Sequence, residues 1–203
     1  VFYCTSYETC ERQAKLFLNE PIVGFDLEWE TFASLKKHGA KQNVSLIQIA
    51  SESQIGLFHV ACFKGTTPEE LMPPSLRTLL ESESITKTGV NVVGDANRMR
   101  TFFQIEMKGL MELSHLYRIV RYSEQSPDMV NFKLCGLAMQ VKDVLRLPLK
   151  KDETRVSRWS NKLNAQQIEY AAADAYAGFH LYHALENLRI VMDPRPPRPA
   201  FYE

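Results

Sequence analysis

Two acidic residues at the end of an apolar run are the first group in the sequence that could perform chemistry. Asp26 and Glu28 follow residues 22–25 and stand two positions apart. Because strand side chains alternate between faces, both carboxylates emerge on the same side of a strand. Like charges in apolar surroundings repel and resist desolvation, and a hard divalent cation would offset both effects. The alternative is a polar edge strand with solvated acids. Glu30 shares this parity and is either a third ligand or a residue beyond the strand end.

Two further acidic residues lie in segments that also have structural explanations. Asp95 follows the apolar residues 85–93 and opens a predicted helix, where aspartate is an ordinary N-cap. Asp174 follows Tyr170 by four positions, which places both side chains on the same face of a helix. An aspartate among alanines has low helix propensity and needs a partner when partly buried, which an arginine or a neighbouring strand could also supply. No one of these residues alone indicates a metal site.

The hydrophobic periodicity predicts a mixed α/β sheet that is covered by helices on both faces. Three strands in an antiparallel meander come first, with a hairpin at residues 51–54, and alternating helices and parallel strands follow. The predicted strands begin at residue 22 and continue at 44–50, 55–60, 85–93 and 111–116. The predicted helices are the segment up to about residue 20 and residues 71–80, 94–103, 134–147 and 165–188.

The 203 residues are predicted to form one domain, residues 1–192, with a proline-rich tail at residues 193–203. The tail is either an extended linker or a docked strap. Because the chain begins with Val1, we expect a mature product or a piece of a longer protein. No apolar run approaches the roughly 20 residues needed to cross a bilayer, and no secretory leader is visible. We therefore predict no membrane partner.

Charge and cysteine content narrow the ways in which this chain could bind its partners. Lys plus Arg and Asp plus Glu are both 24, so the net charge is zero. Any nucleic-acid binding must therefore come from local basic patches or bound metal cations rather than from bulk charge. The cysteines lie far apart without the close pairs of zinc sites, and reduced cysteines fit an intracellular protein: Cys4, Cys10, Cys62 and Cys135.

In their order, Asp26-x-Glu28, Asp95 after an apolar strand, and Tyr170-x-x-x-Asp174 resemble the DEDD exonuclease superfamily, in the subclass with tyrosine in its third motif. The similarity extends from about residue 21 to residue 188 and is typical of the RNase D-like group, in particular of Werner-type exonuclease domains. Three flanking runs strengthen it: Ser45-Leu46-Ile47-Gln48-Ile49, Thr88-Gly89-Val90 and Asp174-Ala175-Tyr176-Ala177-Gly178.

This resemblance implies an RNase H-like fold and a 3′→5′ exonuclease that uses two divalent metal ions, Mg²⁺ or Mn²⁺. Asp26 would bridge both ions, and Glu28 and Asp174 would complete the site that holds the attacking water. Asp95 would help to position the second ion through coordinated waters. An all-oxygen donor set suits these ions, whereas zinc would prefer histidine or cysteine ligands.

Tyr170 is predicted to orient the water by a hydrogen bond rather than to act as the main base. An unperturbed phenol has a pKa near 10, so only about a thousandth of it is ionised at pH 7. A bound metal would account for most of the deprotonation, because it lowers the pKa of its water.

The predicted partner is nucleic acid with single-stranded or recessed 3′ ends, either DNA or RNA. Residues 150–162 are predicted to be a phosphate-contacting loop, because this basic segment directly precedes the helix that carries the third motif. The second basic cluster, residues 36–41, is either a contact or a solvated face. Three apolar groups near the site, Leu27, Trp29 and Phe103, could stack on terminal bases, although Trp29 is more often a core residue. The candidate substrate contacts are Leu27, Trp29, Asn91, Lys151, Arg155 and Arg158.

Two other functions remain open from the sequence. The chain could be a catalytically inactive exonuclease fold that serves as a nucleic-acid or protein-binding scaffold. It could also be a different RNase H-like enzyme, an endonuclease or strand-transferase, although these lack the Tyr-x-x-x-Asp helix. The resemblance to Werner-type domains favours a nuclear location, and further domains or protein partners in the full-length protein.

Overall fold

A mixed sheet forms the centre of the computed structural model, which describes residues 1–34, 36–150 and 152–202. Within these residues the sheet has six strands in the order β1-β4-β3-β2-β5-β6. β2, β3 and β4 form an antiparallel meander, and β1, β5 and β6 are added by parallel pairing. This topology confirms the predicted α/β sheet. The strands are β1 (Phe2–Cys4), β2 (Ile22–Glu28), β3 (Leu46–Ala50), β4 (Ile55–Phe58), β5 (Thr86–Gly89) and β6 (Leu110–Glu112).

Helices cover both faces of the sheet. The longest, α8, contacts β2, β3, β4 and β5 on one face, whereas α1 and α5 pack on the other. The helices are α1 (Tyr7–Ala14), α2 (Ala40–Asn43), α3 (Pro68–Leu71), α4 (Pro74–Glu81), α5 (Val92–Phe103), α6 (Leu113–Tyr122), α7 (Leu137–Val144) and α8 (Ala165–Ile190).

Two predicted segments differ from the structure near chain turns. The segment predicted as a helix up to about residue 20 begins with β1, which is too short for a periodic signal and is held by its parallel pairing with β4. The strand predicted at residues 85–93 is also too long, since Val92 already belongs to α5. Asn91 turns the chain between the two elements by adopting the left-handed conformation, with φ 67° and ψ 30°.

The predicted strand at residues 111–116 is correct only in its first part. The strand ends at Glu112, and α6, which was not predicted, begins at the next residue. The Glu112 carboxylate accepts a hydrogen bond from the backbone N–H of Ser114 at 3.1 Å. This side chain caps the helix and thereby converts an apolar run from strand to helix.

The alternation of side chains along β2 separates the two faces of the sheet. Gly24 lies against α8. Asp26 and Glu28 share its parity, so they also emerge on the α8 side. The intervening residues are buried on the opposite face, in the core cluster to which α1, α4 and α5 contribute: Val23, Phe25 and Leu27.

The backbone of α8 approaches β2 as closely as two chain segments can pack. A Cβ atom at Gly24 would lie 2.0 Å from the carbonyl oxygen of Ala175 and 2.8 Å from the backbone nitrogen of Phe179. A side chain at Gly24 would therefore push α8 away from the sheet. Because Asp174 lies on α8, this contact also sets its distance from the acids of β2.

The tail lies along the edge of the sheet. Tyr202 forms an antiparallel bridge with Leu110, whose carbonyl oxygen accepts its N–H at 3.0 Å. The Tyr202 hydroxyl lies 3.0 Å from Nδ1 of His115, and Arg198 donates to the Tyr182 hydroxyl at 3.2 Å. The described tail residues are thus docked on β6, α6 and α8. Among the described residues, no helix is both long and apolar enough to span a membrane.

The substitution Gly24→Ala is expected to destabilise the protein by at least about 2 kcal/mol, because its Cβ would overlap backbone atoms that cannot rotate away. Urea denaturation would measure this change in the free energy of unfolding. Gly39→Ala is the matched control, because the nearest atom to a Cβ there is Oε1 of Gln42 at 3.8 Å. Equal stability of the two variants would contradict the proposed contact.

Candidate functional site

Three carboxylates from two elements meet at one point on the α8 side of the sheet. Asp26 and Glu28 come from β2, and Asp174 comes from α8. One carboxylate oxygen from each side chain lies within 4.8 Å of the other two. Among the described residues, these three form the group that could hold a metal ion. The parity predicted from the sequence therefore does bring Asp26 and Glu28 together.

The repulsion within this acidic cluster favours either protonation of the carboxylates or binding of a cation. Burial raises the pKa of Asp26 well above its usual value, and the charges of Glu28, Asp95 and Asp174 raise it further. Burial likewise raises the pKa of Glu28, as do Asp174 and Asp95, whereas Gln48 and Arg155 lower it. A divalent cation would relieve this repulsion, and carboxylate oxygens are the donors that Mg²⁺ and Mn²⁺ prefer. The residues present therefore fit such an ion.

Asp95 is close to this cluster but lies outside the group of three. It is 3% exposed, in the first turn of α5. The helix cap is Asn91, so the N-cap explanation of Asp95 does not apply. Burial raises its pKa, the charge of Glu112 raises it further, and the charge of Arg98 lowers it. Its predicted role toward a second ion stays a prediction.

Tyr170 stands beside the acidic cluster, one helical turn before Asp174. Its ring is tilted against that of Trp159, with 6.0 Å between the centroids. Burial raises the pKa of the Tyr170 phenol, and so do the charges of Asp174 and Glu28 and a hydrogen bond to Asp174. The phenol is therefore a hydrogen-bond donor at neutral pH and not a base, which fits the orienting role predicted from the sequence.

An open cleft of about 400 Å³ contains the three acids and Tyr170. Arg155 lines this cleft from the 3₁₀ turn Glu153–Val156, and its charge acts on Glu28. Trp29 lines it at the end of β2. Gly136 and Leu137 at the start of α7 also line it. Among the described lining residues, the cleft thus combines three acids with one arginine and several apolar side chains.

The other candidate substrate contacts are placed less favourably. Leu27 belongs to the cleft lining, but its side chain is only 2% exposed and lies in the core of the opposite face, so it cannot stack on a base as expected. Arg158 is exposed and is absent from the described lining residues. Asn91 forms the left-handed turn before α5. Lys151 lies outside the described residues. Phe103, also considered for stacking, is fully buried.

Glu30 has a structural role rather than that of a third ligand. It is 2% exposed, and its Oε1 accepts a hydrogen bond from the backbone N–H of Ser160 at 2.8 Å. It thereby ties the end of β2 to the segment that follows Arg155. Because β2 ends at Glu28, the parity that Glu30 shared in the sequence is lost in the structure.

Glu112 is a buried acid near the site that sequence reasoning missed. Its Oε2 accepts hydrogen bonds from the N–H groups of Asn91 at 2.7 Å and Val92 at 3.2 Å, while its Oε1 caps α6. It therefore joins two helix starts beside Asp95. The signal that could have identified it is an acid after an apolar strand, the same signal that marked Asp26.

Comparison with known proteins agrees with this arrangement. The chain matches a family model described as 3′-5′ exonuclease over residues 1–189. It is 36% identical over 170 residues to the bifunctional 3′-5′ exonuclease/ATP-dependent helicase WRN of Mus musculus, a match that covers 82% of this chain and 11% of that protein. This chain therefore corresponds to a small part of that relative's length.

Two solved structures share the fold. The Aedes aegypti Nibbler EXO domain has a TM-score of 0.74 and 20% identity, and the match covers 95% of this chain and 90% of that one. Trypanosoma brucei RNase D in complex with RNA U12 has a TM-score of 0.73 and 17% identity, covering 96% of this chain and 64% of that one. This likeness confirms the predicted RNase H-like fold.

Mn²⁺ is expected to stabilise the protein by relieving the repulsion among the acids. A Mn²⁺ concentration of 100 times the dissociation constant should raise the free energy of unfolding of the wild type by about 2.7 kcal/mol. If Asp26→Asn lowers the affinity tenfold, the same Mn²⁺ concentration should raise the free energy of unfolding of that variant by only about 1.4 kcal/mol. Thermal denaturation with and without Mn²⁺ would measure the difference. The exposed Asp128→Asn is the matched control. Equal stabilisation of both variants would show that Mn²⁺ binds elsewhere.

The metal-free protein is expected to lose stability as the pH rises. The pKa values of Asp26 and Glu28 are raised in the folded state. The folded protein therefore holds more protons than the unfolded chain, and the stability present at low pH is lost as the pH rises through the folded pKa values. In EDTA at pH 8, Asp26→Asn should consequently unfold at a higher temperature than the wild type. A lower unfolding temperature would contradict the repulsion.

Proposed function

This chain belongs to the 3′–5′ exonuclease family, and we propose that it releases nucleoside monophosphates one at a time from nucleic-acid 3′ ends with two divalent metal ions, Mg²⁺ or Mn²⁺. The observation that carries this proposal is the cluster of Asp26, Glu28 and Asp174 on the floor of an open cleft. A cleft of about 400 Å³ that is open to solvent can admit the end of a nucleic-acid strand.

Each acidic side chain has a separate task in this proposal. The charges of Glu28, Asp95 and Asp174 all raise the pKa of Asp26, and the family resemblance makes Asp26 the residue that would serve both ions. Glu28 and Asp174 would hold the first ion together with Asp26. Asp95 would help to position the second ion. When bound, such ions lower the pKa of water and stabilise charge on the phosphate oxygens.

Tyr170 would orient the attacking water in the cleft. Its phenol keeps its proton, because burial raises its pKa above the usual value. A protonated phenol donates one hydrogen bond and accepts others, so it can hold a water molecule in one direction. Fixing the attacking atom in line with the bond that breaks is a recognised source of rate enhancement.

Arg155 and Trp29 would bind the substrate. Arg155 is the cationic side chain among the described lining residues, and a guanidinium can bind a phosphate through two parallel hydrogen bonds. Trp29 offers an aromatic ring to a base. Trypanosoma brucei RNase D, which shares the fold, was solved with RNA U12; phosphates and bases are common to DNA and RNA, so both polymers enter the test.

Labelled oligonucleotides test the proposed reaction directly. With 5′-labelled single-stranded and recessed-end DNA and RNA, we expect a ladder that shortens from the 3′ end with Mg²⁺ or Mn²⁺ and is absent in EDTA. Asp26→Asn should lower the rate by at least about a hundredfold, because it removes a charge worth several kcal/mol in the transition state. Asp128→Asn, an exposed acid, is the control.

The same assay separates the other functions. No ladder with either metal would contradict the proposal and favour an inactive scaffold that only binds nucleic acid. Cleavage of a circular single strand would show an endonuclease instead. A ladder with one polymer alone would establish the sugar preference.

Tyr170→Phe is expected to lower kcat by roughly ten- to a hundredfold while Mn²⁺ binding stays unchanged, since the ring remains and only the hydroxyl is lost. Single-turnover rates and calorimetric titration with Mn²⁺ would measure the two effects separately. Tyr176→Phe is the matched control, because its partly exposed hydroxyl lies on the same helix near the Glu52 backbone. Full activity of Tyr170→Phe would refute the orienting role.

A further inference from the structure

An arginine from another element contacts the ring of Trp29, a residue that lines the cleft. Trp29 directly follows Glu28; it is partly buried against the core and lines the cleft. The guanidinium carbon of Arg98 lies 3.9 Å from the centroid of this ring. Arg98 belongs to α5, one turn after Asp95. This stack therefore connects the helix that carries Asp95 to the aromatic wall of the cleft.

The position of the Arg98 guanidinium is fixed by a second interaction. Its Nη1 donates to the carbonyl oxygen of Asn43 at 3.0 Å and to Oδ1 of Asn43 at 3.2 Å. Asn43 is fully buried at the end of α2. One nitrogen of the guanidinium is thus occupied by hydrogen bonds while its central carbon lies over an aromatic ring.

Asn43 is itself held at the other end of its side chain. Its Nδ2 donates to three backbone carbonyl oxygens, those of Ser34 at 3.4 Å, His38 at 2.9 Å and Gly39 at 3.2 Å. Both ends of the amide are therefore used. The loop before α2, Asn43, Arg98 and Trp29 form one connected support.

These contacts distinguish three roles for Arg98. A direct phosphate contact would use guanidinium donors other than Nη1 and would need neither the contact with Trp29 nor the hydrogen bonds to Asn43. A purely electrostatic role toward Asp95 needs only a positive charge, which lysine would also provide. A role in fixing the ring needs the planar, hydrogen-bonding guanidinium, which lysine lacks. The observed geometry uses the features that only arginine has.

We propose that Arg98 is a positioning residue that holds the Trp29 ring as a stacking surface for a nucleobase at the chain end bound in the cleft. The guanidinium lies over one face of the ring, and we assign the base to the part of Trp29 that lines the cleft. Every base has an aromatic face, so this contact accepts any base in DNA or RNA. The inference rests on the proposed function, since it assumes that a nucleic-acid end enters the cleft.

Arg98→Lys tests this role because it keeps the positive charge beside Asp95 and removes the stack. We expect KM to rise on the order of tenfold, the equivalent of a weakened base stack, with kcat within about twofold of the wild type and unchanged Mn²⁺ affinity. Arg100→Lys is the matched control, because this exposed arginine of the same helix pairs with Glu106. A fall in kcat at unchanged KM would overturn the proposal.

A double-mutant cycle identifies Trp29 as the residue through which Arg98 acts. Trp29→Ala should raise KM at least as much as Arg98→Lys, and the double variant should be no worse than Trp29→Ala alone. Multiplied effects in the double variant would show that the two residues act independently. Trp29→Phe keeps an aromatic face and should retain most of the binding, which tests the stack even if Arg98→Lys does not fold.

Tryptophan emission in EDTA separates this inference from the proposed activity. The second tryptophan, Trp159, is fully buried, and its signal is measured alone in Trp29→Phe. Saturating oligonucleotide should quench Trp29 in the wild type and clearly less in Arg98→Lys. If the oligonucleotide quenches Trp29 but no cleavage ladder forms, the proposed function is wrong and the stacking contact stands. If a ladder forms but Trp29 is not quenched, only the stacking contact is contradicted.

Discussion

The close contact between the backbones of α8 and β2 is the constraint on which the site depends. Gly24 has no side chain, so the carbonyl of Ala175 lies where a Cβ would otherwise stand. The helix face that meets the sheet is rich in small residues, and Ala171 and Ala172 are buried with it. This short distance brings the carboxylate of Asp174 within 4.8 Å of those of Asp26 and Glu28. Gly24 therefore positions the three carboxylates although it contributes no functional group to the site.

Gathering these carboxylates costs free energy that the rest of the fold must offset. Burial and mutual repulsion raise the pKa values of Asp26, Glu28 and Asp95. The strands that carry or flank the acids are buried in apolar cores on both faces, which supplies the compensating hydrophobic free energy. A bound cation would remove this cost, so metal binding and stability would be linked through the same side chains.

The segment that carries Arg155 is held by residues that lie far away in the sequence. Tyr3 on β1 accepts a hydrogen bond from the N–H of Leu163 at 2.9 Å, and Nε2 of His59 donates to the carbonyl of Trp159 at 2.8 Å. Glu30 binds Ser160 at the end of β2. These contacts anchor the cleft wall at three points. The short strand β1, which periodicity did not reveal, is thus part of what positions the site.

The sequence by itself determined what depends on local spacing. Alternation in a strand set Asp26 and Glu28 on one side, and a spacing of four in a helix set Tyr170 beside Asp174. The long helix α8 followed from the pattern within one segment, and the meander and the family resemblance followed from the order of such segments along the chain.

Only the tertiary structure decided which segments meet. It placed α8 across β2 and left Asp95 just outside the group of three acids. It also placed the Leu27 side chain in the core on the opposite face of the sheet and paired the Glu30 carboxylate with Ser160 by hydrogen bonds. The stack of Arg98 on Trp29 joins residues from α5 and the end of β2. These outcomes depend on packing between elements that are distant in the chain, and the spacing within any one element carries no information about such contacts.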